Sequence, residues 1–236
     1  MSTLSNLKKE LKTKANSKKA KILQRFFKTG PGEYGEGDVF LGIVVPDIRK
    51  LVKKYSNLKM KEVIRLLHSK IHEERLIALL IMIDKFQVEG DKKKIYNLYL
   101  KNTKYINNWD LVDLSAYKIV GDYLINKPKL ILYKLAKSKS IWERRISIIA
   151  TFNFIKNNEF KETLKIAKIL LNDEHDLIHK AVGWMLREVG KRDLKIEESF
   201  LRKYCKKMPR IMLRYSIEKF PEKKRKQYLL TYSSLV

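Results

Sequence analysis

Residues 105–117, Tyr-Ile-Asn-Asn-Trp-Asp-Leu-Val-Asp-Leu-Ser-Ala-Tyr, set Trp109, Asp110 and Asp113 at the head of an apolar stretch. In a helix that starts after Asn108, Trp109 and Asp113 share one face, while Asp110 is turned about 100° away. An indole beside a carboxylate can hold a positively charged centre, through cation–π and Coulomb attraction together. Asp110 lies in the first turn, where the helix dipole alone accounts for an acid. For Asp113 the residues leave two readings open: an ion pair with Arg145, or a chemical role.

The surroundings of that acid make it unusual. The chain has 52 Lys and Arg against 26 Asp and Glu, a formal net charge of +26. Such an excess points to a polyanionic partner, nucleic acid first among them. With 44% hydrophobic and 10% aromatic residues the chain can still bury a core, which excludes a disordered basic tail. A single cysteine, Cys205, excludes an internal disulfide framework. The first residues hold no apolar leader, and the longest apolar run, Leu-Ile-Ala-Leu-Leu-Ile-Met-Ile, is too short to span a bilayer. The expectation is a cytoplasmic, monomeric protein with no membrane partner.

Helices must position these residues. The chain has five prolines and nine glycines, four of the latter in Gly-Pro-Gly-Glu-Tyr-Gly-Glu-Gly, and elsewhere apolar residues recur at three and four. Helix starts are marked by Asn108, Pro128, Ser140, Asp173 or Glu174, and Pro209. Alternate helices then begin near residues 72, 109, 141, 175 and 208, a period of about 34 residues. Two helices per repeat predict an all-α, HEAT-like solenoid, one domain over residues 1–236, with one helix layer lining a concave groove; the period alone also permits an irregular helical domain. Aligning the second helices brings Arg75, Asp113, Arg145, Lys180 and Arg214 into register: four cations and one carboxylate. A row of cations one repeat apart suits a phosphate backbone, and a lone carboxylate within it repels phosphate unless it has a partner or a task. Trp184 stands four residues after Lys180; Trp142 reads as packing near a helix start.

Other motifs carry less. Gly30, Gly32 and Gly35 match the spacing of a dinucleotide-binding loop, but a helix precedes them and Glu33, Glu36 and Asp38 would repel pyrophosphate. The β-branched run Asp-Val-Phe-Leu-Gly-Ile-Val-Val predicts a short hairpin near residues 30–45, bracketed by Lys28 and Arg49, before Pro46 opens a helix. His175 and His179, like His68 and His72, have metal-ligand spacing but no third ligand, so no metal is expected.

The stretches Asn-Asn-Trp-Asp-Leu-Val-Asp (107–113), Trp-Glu-Arg-Arg-Ile-Ser-Ile-Ile (142–149), His-Lys-Ala-Val-Gly-Trp-Met-Leu-Arg-Glu-Val-Gly-Lys-Arg (179–192) and Phe-Leu-Gly-Ile-Val-Val-Pro-Asp-Ile-Arg-Lys-Leu (40–51) together resemble the AlkD-type DNA alkylation repair glycosylases. The resemblance covers nearly the whole chain. It implies a groove that holds duplex DNA and an enzyme that removes cationic purines such as 3-methyladenine and 7-methylguanine, without base flipping and without a cofactor. It also implies that Asp113 is the catalytic carboxylate, that Trp109 and Trp184 contact the lesion's sugar, and that Arg145 holds a nearby phosphate. Lys180, Arg187, Arg49, Arg75, Arg214 and Phe26 complete the expected DNA-binding set. Phe26 stands where the family has a groove tyrosine, and the loop before Pro46 is longer than the type member's. Relatives with a long loop include proteins that bind branched DNA without excising a base, so the resemblance also implies an alternative: a binding protein for branched or distorted DNA.

Overall fold

A computed structural model describes residues 3–88 and 91–233, the last three of them by their backbone alone. The described residues are helices joined by short loops, apart from the long connection over residues 27–44, and they divide into two compact units, Met1–Leu111 and Val112–Val236.

The N-terminal unit contains α1 (Leu4–Thr13), α2 (Ser17–Phe26), α3 (Val45–Lys54), α4 (Met60–Leu67), α5 (His72–Val88) and α6 (Lys92–Lys101). Local chemistry sets the helix starts: Thr3 and Asn16 accept from backbone N–H groups of α1 and α2, and Pro46 occupies the first turn of α3. The run Leu-Ile-Ala-Leu-Leu-Ile-Met-Ile lies in α5, which is buried on all sides and packs against α3 and α4. A helix apolar all round becomes the core of its unit, and this one carries even His72, Glu73, Glu74 and Arg75 below the surface.

The hairpin expected near residues 30–45 is not formed. Gly32 and Gly37, at φ +74° and +83°, turn the chain instead, and Val39 makes an isolated parallel bridge to Ile71. The physical reason lies in Glu73. Its carboxylate accepts the successive backbone N–H groups of Leu41, Gly42 and Ile43 at 2.8–3.3 Å, so the donors a second strand would need are taken. The loop's own acids act likewise: Glu33 accepts from Gly30 N–H, and Glu36 from Gly32 N–H. Phe40 and Ile43 are buried and anchor the segment to its unit.

The C-terminal unit takes in most of α7 (Trp109–Ala116), which passes through a π-helical turn (Tyr117–Gly121) into α8 (Asp122–Leu124). It continues with α9 (Leu130–Ala136), α10 (Ile141–Ala150), α11 (Phe152–Lys156), α12 (Lys161–Ile169), α13 (Asp176–Gly190), α14 (Leu194–Tyr204), α15 (Arg210–Ser216) and α16 (Glu222–Ser233). Helix α10 packs on α13 and α13 on α15, the succession a HEAT-like array requires. The approach is close: a Cβ on Gly183 would lie 2.5 Å from the Met212 carbonyl oxygen, and one on Gly121 2.2 Å from that of Ala150. The second helices start at 72, 109, 141, 176 and 210, within two residues of the positions expected from caps and prolines.

One buried group makes this unit sensitive to pH. Burial, reinforced by the charge of neighbouring Glu198, pushes the Glu197 carboxyl up to about 8. It is therefore protonated at neutrality, and as an acid with a raised folded value it costs stability as pH climbs from its ordinary 4.5 through 8. Glu197→Gln keeps the shape without the charge. Thermal melts of this variant should nearly match wild type at pH 5 and exceed it at pH 9 by up to about 5 kcal/mol; equal melting at pH 9 would exclude a buried charge.

Candidate functional site

Asp113 is held by Arg145 in a two-point pair. The guanidinium of Arg145, on α10, donates from Nε to Oδ1 at 2.8 Å and from Nη2 to Oδ2 at 2.7 Å, and its Nη1 donates to the Leu177 carbonyl. The ion pair that the residues left open is thus formed. The pair is asymmetric in exposure: the Arg145 side chain is 6% exposed and that of Asp113 19%. Its accessible end is the anion.

This arrangement revises the role given to Arg145. A buried guanidinium committed to Asp113 and to a backbone carbonyl orients the carboxylate and does not reach out to phosphate. Arg75 departs from expectation for a related reason. Its register position falls on the all-buried α5, where it is 3% exposed and donates to Asp38 at 2.6 Å and to the Ser69 carbonyl at 2.9 Å. A groove cation at this position is excluded in this structure.

The remaining cations of the register differ. Lys180 is partly exposed and pairs with Asp176 one turn back at 2.7 Å; Arg214 is exposed. Both line a cavity of about 400 Å³ with Ile211, Tyr215, Glu218 and Arg225. Arg187 pairs with Glu218. Arg49, in the N-terminal unit, is exposed on α3. Trp184, on α13, is partly exposed; its Nε1 donates to Glu188 at 3.2 Å and its ring centre lies 6.0 Å from that of Phe152. Trp142 is buried, as a packing residue should be.

Trp109 belongs to an aromatic stack in the N-terminal unit. Its ring lies nearly parallel to Phe27 at 5.2 Å and edge-on to Phe26 at 5.9 Å, and Phe27 in turn stacks on Phe40 at 5.0 Å. Phe26 itself is 61% exposed. Behind the stack sits a group that sequence reasoning missed. His72 lies 4.4 Å from the Phe40 ring, with Nε2 2.8 Å from an Asp110 oxygen and Nδ1 3.3 Å from Asp38. Arg75 and Asn107 also donate to Asp38. Burial pushes the imidazole down, but hydrogen bonds to Asp110 and Asp38 outweigh it and leave its pKa raised. Asp38 shows the mirror case: burial pushes it up, and the His72 bond and Arg75 charge hold it below the usual range.

Asp110 is therefore more than a dipole residue, since it ties the first turn of α7 to the His72 imidazole in α5. The only sequence signal was the lone acid of Asp-Val-Phe-Leu-Gly and a histidine 34 residues on, too sparse a pattern to pair. The other histidines hold local structure. His175 caps α13, His179 contacts the Asp173 carbonyl, and His68 lies 2.6 Å from the Asn102 side chain. Among the described residues no cluster of three or more His, Cys, Asp or Glu is placed to hold a metal ion, and no helix is long and apolar enough to cross a membrane.

No curated protein matches the chain. The structure of an Enterococcus faecalis protein described as a "Predicted DNA alkylation repair enzyme" superposes with a TM-score of 0.66 over 89% of this chain and 98% of that one, at 16% identity, a likeness of fold. Residues 7–220 match the family model for DNA alkylation repair enzymes, nearly the full length of the helical array, and the chain belongs to that family.

Proposed function

We propose that the protein is a DNA glycosylase that hydrolyses the N-glycosidic bond of cationic alkylated purines in duplex DNA, with the base remaining in the helix. The observation that carries this reading is the Asp113–Arg145 pair, whose accessible end is a fixed carboxylate. An N3- or N7-alkylated purine is already a cationic leaving group, so no general acid is needed. As the bond breaks, positive charge passes to the deoxyribose, and a carboxylate that is already oriented stabilises it without reorganisation. The same group can orient the attacking water. Trp109, one turn before Asp113 on α7, and Trp184 supply indole faces for the same cation. Lys180, Arg214, Arg187 and Arg49 supply charge for the backbone; Arg145 acts through Asp113.

The test is release of 3-methyladenine and 7-methylguanine from methylated duplex, with binding measured across a salt series. Release is expected, with log K falling by about 0.9 per phosphate contacted for each tenfold rise in salt. Binding without release would favour the second reading, a binding protein for branched or distorted DNA. One observation supports that alternative: the ion pair gives Asp113 a structural use that requires no chemistry. Affinity that ignores salt would remove both.

A further inference from the structure

The N-terminal unit contains a cavity that neither the carboxylate chemistry nor the cation row uses. It has a volume of about 350 Å³ and lies among Phe26, Phe27, Phe40, Ile43, Val45 and Leu76, with His72, Glu73 and Asp110 also in its wall. About 150 Å³ suffices for one benzene ring, so a fused two-ring heterocycle fits with room to spare. Its lip is unusually apolar for so basic a protein: Ile22 is 65% exposed, Phe26 61%, Val44 41% and Val45 48%. Exposed apolar side chains gathered around an aromatic hollow mark a binding surface.

The polar and charged groups narrow the ligand. Glu73 is occupied by backbone N–H groups. Asp110 uses Oδ2 on His72, while its Oδ1 is buried and has no hydrogen-bond partner among the described residues. A buried acceptor left unmade is costly, and a ligand with an N–H edge would relieve it. Helix α2, which contributes Ile22 and Phe26 to the lip, also exposes Lys18, Lys19, Lys21 and Arg25 and contains no acid. Flat apolar faces, an N–H edge and an attached anion together describe a nucleotide.

We propose that this cavity takes an unpaired, unstacked nucleobase of distorted DNA, laid against the phenylalanine rings of its wall with its phosphates on the cations of α2. The base is not the lesion of the proposed reaction, and the cavity neither requires nor supplies base release. It gives the protein a preference for DNA that already carries an unpaired base, on top of backbone affinity that is blind to it.

The test uses a duplex with one bulged 2-aminopurine and its fully paired counterpart, at one salt concentration. Wild type should bind the bulged duplex about ten-fold more tightly, the yield of one stacked base, and quench its 2-aminopurine emission. Val45→Trp, an exposed residue at the lip whose larger ring fills the mouth, should abolish preference and quench while leaving paired-duplex affinity unchanged. Ile22→Glu, on the exposed face of α2, serves as a second block should Val45→Trp not fold. Equal wild-type affinity for the two duplexes overturns the proposal, as does a preference that survives a folded blocking variant. Base release from methylated duplex is measured separately: its absence with bulge preference intact removes the glycosylase reading alone, and the converse removes the cavity alone.

Discussion

Asp113→Asn is expected to lower base release from methylated duplex by about 10²–10³-fold, the loss typical of removing one preorganised stabilising group. The shape survives and one oxygen still accepts from Arg145, but the sign of the local field changes. Arg145 is buried and keeps its charge, so a cation developing on the sugar would meet an uncompensated guanidinium where wild type presents an anion. The same change costs about 2 kcal/mol of stability, because a buried charge loses its counter-ion while a hydrogen bond is retained. Loss of fold and loss of chemistry are separated by Asp113→Asn with Arg145→Met, which removes the orphaned cation. Melting should recover in the double variant and base release should not. A folded Asp113→Asn protein that releases base at the wild-type rate would make the ion pair purely structural. Under the binding-only reading the variant would instead hold DNA equally well or slightly more tightly, one phosphate-repelling charge having been removed.

Helix periodicity and end signals were legible because both are local. Ser140, Pro209 and Asn108 each stand immediately before the helix they were expected to open, since a cap or a proline acts on its own turn. The repeat register gave the Asp113–Arg145 proximity but not the side-chain environment. Arg75 falls in the register and is nevertheless buried, because its helix is the apolar core of the N-terminal unit and Asp38 comes to it from a loop 37 residues upstream. The β-branched run after Asp38 read as a hairpin for the same kind of reason: strand propensity is local, whereas the carboxylate of Glu73 that captures its N–H groups is 30 residues away. Period and propensity report which face a residue occupies, and only the tertiary structure reports which partner meets it there.

His72→Leu tests the long-range link that sequence reasoning missed. Leucine fills most of the space beside Phe40 and Phe27 but leaves Asp110 without the one side-chain donor it has among the described residues, and Asp38 dependent on Arg75 and Asn107. Breaking a buried charge network from one side costs about 3 kcal/mol, or roughly 10 °C in melting for a chain of this size. The pH dependence identifies the cause. His72 has a folded pKa raised above its ordinary 6.5, so its stabilisation is complete below that value and is lost as pH rises through the folded one. Asp38 has a folded pKa lowered below 3.8, so its share is present above that value and is lost only as pH falls through the depressed one. The network is therefore whole near pH 5 and weakens towards pH 9. Glu197 weakens the protein in the same direction, so the comparison belongs in Glu197→Gln. Melting of Glu197→Gln should fall between pH 5 and pH 9, and Glu197→Gln with His72→Leu should start lower and fall less. Parallel curves would mean that the imidazole is neutral throughout and only packs. Because Asp110 is the residue after Trp109, losing its partner also frees the first turn of α7, and the stack of Trp109 on Phe27 should loosen, red-shifting its fluorescence.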